Sequence, residues 1–345
     1  MNYTVQSSEQ TTSSASEMET KALLHLLCDD ADQGIISNFA IDFFNDVTGM
    51  DQNAFRLYDV QSKGTRSGAA ELGKDLVTLF KNYTSEFKKY FVRQILFVRG
   101  ITRPVLGNKT LSEFKYSNMT DNSKKKLRES FILECRNKEY IKNDLLKDEI
   151  INDFLEQVLF VVSKEKKEDY ILPLIRATSL VGTTRQNLCA IFNEIRRKQL
   201  GIKTFSKVEG VSISHPFDVF SYGRVLRKKD IELLVISRII NKNPLEAGIP
   251  KSFIPIYENY EEDTADEMIQ DCQNDIAKQM FTTTESEAFW QLLDEYVTKI
   301  RDYPDMSVKD IYQSTPREIL DSCHQMNSLS HQYFISIIKE GVKRD

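Results

Sequence analysis

The sequence predicts an α+β protein, with an N-terminal core running helix, strands, helix, strand and a mainly α-helical C-terminal domain. Three observations carry that expectation. Stretches rich in β-branched and aromatic residues gather in the first hundred positions, and apolar spacings of three and four dominate beyond about residue 110. No repeat of fixed period occurs, which argues against a solenoid. At 345 residues the chain exceeds the usual size of one core. The expected division is a flexible lead-in at 1–16, a mixed domain at 17–115 and a helical domain at 116–345.

The lead-in is rich in Ser, Thr and Gln and has too little apolar surface to repay its ordering entropy. Ser16 and Glu19 match a capping box, and Ala22, Leu23, Leu26 and Leu27 supply the stripe of a first helix ending near Cys28. Residues 35–47, bounded by Gly34 and Gly49, predict a strand. A polar loop at 48–53 then leads to a second strand at 54–63, stopped by Gly64, and the two are expected to pair as a hairpin. Leu72, Leu76, Leu79, Phe80, Tyr83 and Phe87 predict one long amphipathic helix over 68–90, followed by a strand at 91–98. Further helices are expected at 143–162, 184–200, 229–240, 265–281, 285–301, 316–326 and 331–343, with a β or loop interlude at 205–225.

Charge is unevenly spread. The net charge is −5, which does not mark the whole chain as a polycation, yet an acidic first stretch gives way to fifteen basic against six acidic side chains over 61–130. The five cysteines form no CxxC pair and read as reduced thiols of a cytoplasmic protein. With neither a leader-like start nor an apolar run of membrane-spanning length, secretion and membrane insertion are not expected. GxxxxGK[ST], GxGxxG and GxSxG do not occur, so nucleotide hydrolysis, dinucleotide binding and hydrolase-elbow chemistry have no anchor. His324 and His331 sit seven apart but lack a third ligand, and the acidic run 258–267 reads as a solvated loop and helix start.

Strand alternation puts Asp59, Gln61 and Lys63 on one face of the second strand, and Asp42, Phe44 and Asp46 together on the first. Asp46 ending one strand, with Gln61-Ser62-Lys63 on the next, is the layout of a PD-(D/E)XK nuclease core. The chemistry needs those types: hard oxygens to hold Mg²⁺ or Mn²⁺ beside a scissile phosphate, and a lysine to position water and offset transition-state charge. Asp46 and Gln61 are the expected metal ligands, with Asp59 or Glu19 assisting, although Glu19 also has a structural role as capping-box partner. Lys63, Arg66 and Lys74 lie nearest and are the expected DNA contacts; lysines farther along the helix fit an ordinary solvated face better.

Phe43-Phe44-Asn45-Asp46-Val47, followed by Tyr58-Asp59-Val60-Gln61-Ser62-Lys63, resembles the N-terminal domain of the CD-NTase-associated double-stranded DNA endonucleases, a domain shared by the nuclease subunit of Lamassu-type bacterial defence systems. The resemblance spans about residues 16–105. It implies a metal-binding acid at Asp46, the Gln-x-Lys at Gln61 and Lys63, and a first-helix contribution near Glu19. Family members often carry paired acids where this chain has Asn45-Asp46, leaving Asp42 or Asp59 to supply the missing charge. Residues 110–345 do not resemble the nucleotide-sensing domain of the CD-NTase-associated enzymes and look more like the helical extension of a Lamassu nuclease. That implies a Mg²⁺-dependent double-stranded DNA endonuclease, an antiphage or antiplasmid effector held inactive by an SMC-like ATPase and a small accessory subunit, then released to form an active homo-oligomer. The rival expectation, from another class, is a non-catalytic adaptor whose helices bind partners and whose nuclease-like core is degenerate.

Overall fold

The computed structural model describes residues 2–6, 13–29, 34–108, 110–176, 184–260, 262–282 and 285–342. Part of the expected lead-in lies outside them, but Tyr3–Thr4 form a strand, β1. Helix α1 (Ser13–Cys28) starts three residues ahead of the expected cap. Ser16 is therefore inside the helix, where its carbonyl accepts from Thr20 Oγ1 at 2.9 Å, and Glu19 is not a capping partner.

The expected first strand is two, β2 (Asn38–Ile41) and β3 (Val47–Met50). Between them Asp42 takes a left-handed conformation (φ 50°), and its N–H donates to the Asp46 carbonyl at 3.1 Å. Asp tolerates that region better than β-branched residues do, so the acids that seemed to decorate a strand make its turn. Strand β3 takes the first half of the expected loop, and Gly49 belongs inside it: a Cβ there would lie 3.0 Å from Ile36 Cδ1 and 3.4 Å from Leu26 Cδ1. Strand β4 (Leu57–Ser67) runs past Gly64. The expected long helix is broken at Leu76 into α2 (Ala69–Asp75) and α3 (Val77–Tyr83), and β5 (Phe91–Ile101) follows.

Next come β6 (Glu113–Lys115), α4 (Asp121–Arg136), α5 (Asp148–Gln157) and β7 (Leu159–Val162). The helix expected over 143–162 thus ends in a strand, because Leu-Phe-Val-Val is a continuous apolar run, half of it β-branched, suited to a strand buried on both faces. Helix α6 (Arg185–Phe205) precedes β8 (Ser212–Ile213), which pairs antiparallel with β1, and β9 (Val225–Arg227), which leads into α7 (Lys228–Ile239).

The fold is mixed α/β, built on a seven-stranded mixed sheet ordered β6-β7-β5-β4-β3-β2-β9. Strands β4, β5 and β7 are parallel; every other pairing is antiparallel. One face packs α1, with His25 against Phe97. The alternate residues Leu96 and Val98 face the other side, in a core with Leu72, Phe80, Phe131, Phe154 and Phe160. There α2 and α4 touch through Gly73, where a Cβ would collide with the Leu127 carbonyl oxygen.

By its contacts the chain divides into two compact units, 1–170 with 192–228, and 171–191 with 229–345. The expected boundary at 115/116 falls at the end of β6, inside the first unit, because β7 and β9 arrive from downstream to complete the sheet. The second unit is helical: most of α7, then α8 (Ile254–Tyr257), α9 (Glu262–Phe281), α10 (Ser286–Asp302), α11 (Val308–Ser314), α12 (Arg317–Ser322) and α13 (Ser328–Gly341). Helix α13 is its centre, with Tyr333, Phe334, Ile335, Ile337 and Ile338 fully buried. Its His331 shares a 2.8 Å hydrogen bond with Tyr296 Oη and belongs to the core. All five cysteines are free thiols, and among the described residues no helix is long and apolar enough to cross a membrane.

Candidate functional site

Strand register decides which acid meets Gln61. The β3–β4 ladder pairs Thr48 with Asp59 and Val47 with Val60, and one step further brings Asp46 opposite Gln61. Asp46 Oδ2 accepts from Gln61 Nε2 at 3.1 Å, the Ser62 amide at 2.7 Å and Ser62 Oγ at 2.8 Å. Burial raises the Asp46 carboxyl, while the Ser62 bonds, then Lys63 and Lys203, pull it down.

The polar face of β4 meets one face of α2 and α3 rung by rung. Asp59 is paired with Asn82, Gln61 with Thr78 and Lys63 with Asp75, at 2.7, 2.8 and 3.8 Å. Steps of two on a strand match steps of three or four on a helix running antiparallel to it. The sequence reading missed Asp75, Thr78 and Asn82, although their i, i+3, i+7 spacing was the signal that could have found them.

Asp59 belongs to this ladder and not to the cleft. It is fully buried, Oδ2 accepting from Asn45 at 2.8 Å and Asn82 at 2.7 Å, and Oδ1 from Thr48 at 2.9 Å. Burial pushes its carboxyl up to about 6 against those three donors. Nearby, Lys81 is pushed down to about 8 by burial, with the Asp59 charge opposing.

Glu19 does reach the cleft. It is 4% exposed, with Oε1 3.2 Å from Lys203 Nζ and Oε2 buried without a hydrogen-bond partner among the described residues. Burial, then the charge of Asp46, raises its carboxyl to about 7. Lys203 also lies 3.6 Å from Asp42 Oδ1, and Arg224 lies 3.6 Å from Asp42 Oδ2. Burial works to lower the Lys203 ammonium, but Glu19, Asp42 and Asp46 outweigh it and hold it above its ordinary value. Lys203 lies 157 positions after Asp46 and past the expected end of its helix, so no local pattern tied it to the site.

Glu19, Asp42, Asp46, Gln61 and Lys63 line one cleft of about 450 Å³, together with Lys74, Lys81, Lys138 and Lys203. Of the expected DNA contacts, Lys63 and Lys74 are there. Arg66 is not: it is exposed, donates from Nε to the Ile101 carbonyl at 2.8 Å and lines a different groove. Among the described residues no three His, Cys, Asp or Glu side chains form a ready-made metal cage. The donor chemistry still fits a hard divalent cation, since Mg²⁺ commonly takes one or two carboxylates plus waters and substrate phosphates. Asp46, Gln61 and Glu19 all bring side-chain oxygens to that cleft. No family model, no curated protein and no solved structure matches the chain.

Proposed function

We propose that the chain is a metal-dependent double-stranded DNA endonuclease. One observation carries the reading: Asp46 bonded to Gln61, with Lys63 two residues on, in a cleft lined by five lysines. A phosphodiester is the substrate such a cleft suits, because the lysines attract a polyanion and the oxygens attract a divalent cation. The run of α1, β2, β3, β4, α2, α3 and β5 supports it as an arrangement compatible with a PD-(D/E)XK core.

In this reading Asp46 and Gln61, assisted by Glu19, would hold Mg²⁺ or Mn²⁺, which when bound supplies Lewis-acid polarisation of the scissile phosphate. Lys63 orients the attacking water and stabilises charge on the pentacoordinate phosphate. The water oxygen bonds to phosphorus and one ester oxygen leaves with a proton, giving a phosphate monoester and a free hydroxyl. Lys74 and Lys138 hold flanking phosphates. Following the resemblance, the protein acts in the cytoplasm as an antiphage or antiplasmid effector, repressed by an SMC-like ATPase and an accessory subunit and active as a homo-oligomer.

A second reading, an adaptor with a degenerate core, is favoured by how many of the acid oxygens are already engaged: Asp46 Oδ2 by three donors, and Glu19 and Asp42 by Lys203. The deciding experiment incubates the purified chain, over a wide concentration range, with linear and circular duplex DNA and Mg²⁺ or Mn²⁺, beside Lys63→Ala and an EDTA control. Fragmentation that needs both metal and Lys63 establishes the nuclease, and steep concentration dependence points to activation by self-association. Intact DNA at every concentration, also with the partner subunits present, establishes the adaptor.

A further inference from the structure

A second concavity of about 820 Å³ lies at the carboxyl ends of the parallel strands. Arg66 comes from the end of β4, Arg99 from the end of β5, and Lys164 and Lys166 from the segment after β7. In open α/β sheets this is the edge where ligands gather. The lining holds six basic side chains and three carboxylates, and the pairing is lopsided. Glu17 is spent on Lys167 at 3.0 Å and Lys21 at 3.6 Å, and Glu165 Oε2 accepts from the Lys164 amide at 3.1 Å. Arg66, Arg99, Lys164 and Lys166 are exposed and make no ion pair among the described residues; Lys164 Nζ donates to the Thr110 carbonyl at 3.2 Å.

Lys164 and Lys166 alternate with Glu165 and Glu168 along the chain, yet they and the two arginines are exposed cations without an ion pair among the described residues, drawn from three strand ends, an arrangement that suits a row of phosphates. The groove and the cleft share two elements. Along β4, Lys63 lines the cleft and Arg66 the groove, with a register slip between them: Lys63 pairs with Val98, and Arg66 with Gly100. Such bulges re-aim side chains. On α1, Ala15 and Glu19 line the cleft and Glu17 and Lys21 the groove, as residues two apart on a helix diverge.

We infer that this groove is a track for the backbone of duplex DNA, entering at Arg66 and carrying the substrate away from the scissile phosphate held at Lys63. Its assignment rests on the endonuclease reading and adds the path of the substrate. Three residues of strand cover about 10 Å at 3.3 Å each. At about 3.4 Å per nucleotide along one strand of B-DNA, the track begins about three nucleotides from the cut.

The test measures binding apart from cutting. Lys63→Ala in EDTA is titrated with a fluorescent 30-base-pair duplex between 50 and 200 mM salt, beside the same chain also carrying Arg66→Gln, Arg99→Gln, Lys164→Gln and Lys166→Gln. Melting curves check that both fold, as exposed substitutions allow. Each lost phosphate contact lowers the log–log salt slope by about 0.9, so four lower it by about 3.6, and affinity at the low-salt end falls at least about tenfold. Equal slopes and affinities within twofold, or no duplex binding by the Lys63→Ala chain at any salt, overturn the track. The nuclease reading fails separately: a chain that binds through these four cations yet never cuts with Mg²⁺ keeps the track and loses the enzyme.

Discussion

Two neighbouring regions of the first unit bury acids in opposite ways. Asp59 is surrounded by neutral donors from the β2–β3 turn, β3 and α3, and every contact it makes explains why it is there. The Asp46 end of the same hairpin gathers Glu19, Asp42 and Asp46 around the ammonium of Lys203, leaving Glu19 Oε2 buried with no hydrogen-bond partner among the described residues. A fully satisfied buried carboxylate is part of the scaffold, while an under-satisfied one beside a lysine-lined cleft is where chemistry is to be sought. Both belong to sequence positions that looked equivalent; partners from other elements separate them.

The largest expected effect tests the cleft side. Lys63→Ala is expected to slow single-turnover DNA cleavage at least about 10²- to 10³-fold, the cost of removing one preorganised charge-stabilising donor, with an unchanged melting temperature since Lys63 is partly exposed. Undiminished cutting removes Lys63 from the mechanism. Asp59→Ala tests the scaffold side. Orphaning the Asn45, Thr48 and Asn82 donors is expected to cost about 3 kcal/mol of folding stability in urea titrations, with the cleavage rate per folded molecule kept within a few-fold. If the rate collapses while stability holds, the two regions are not distinct.

Lys203→Met sharpens the comparison. Truncating one partner of a buried ionic cluster is expected to destabilise the chain by about 2 kcal/mol, less than the usual penalty because Arg224 still faces Asp42 and Glu19 takes up a proton near neutral pH. Added Mg²⁺ is then expected to raise the melting temperature of the variant more than that of the parent, since an internal cation no longer competes for the acids. Equal Mg²⁺ shifts in the two chains would falsify that competition.

Legibility followed the range of the interactions. The Asp46, Gln61 and Lys63 constellation was readable because alternation on β4 is local, and the antiparallel β3–β4 pairing carries Asp46 onto Gln61. Turn chemistry was misread: Asp42 and Asp46 looked like part of one strand's face, and Gly49 like a stop, when Asp42 makes a turn and tertiary contact with Ile36 and Leu26 is what requires glycine at 49. The role of Lys203 and the joining of β7 and β9 to the sheet depend on pairings across more than sixty positions, which periodicity does not encode. Most expected C-terminal helices did form, because their apolar stripes are local; 143–162 failed where its last residues were wanted as a strand.

The smallest effect comes from the second unit, where burial acts on a base instead of an acid. Burial lowers His331 to about 4, and Tyr296 and Tyr312 are the titratable rings that face it. The unfolded chain takes up a proton on this histidine below about pH 6.5 and the folded chain does not until about 4, so the unfolded state binds more protons in that window. Stability from this group is therefore complete above pH 6.5 and declines as pH falls toward 4. Asp59 has the opposite sign. Its folded carboxyl, raised to about 6, binds protons that the unfolded one has already released, so its contribution declines as pH rises from about 4 to 6. His331→Gln, which keeps a polar partner for Tyr296, is expected to remove about 1 kcal/mol of acid sensitivity between pH 6.5 and 5.5 in urea titrations. An unchanged pH profile in that variant would mean that His331 takes up its proton in the fold as readily as in the unfolded chain, and that the core around α13 admits water where Asp59 excludes it.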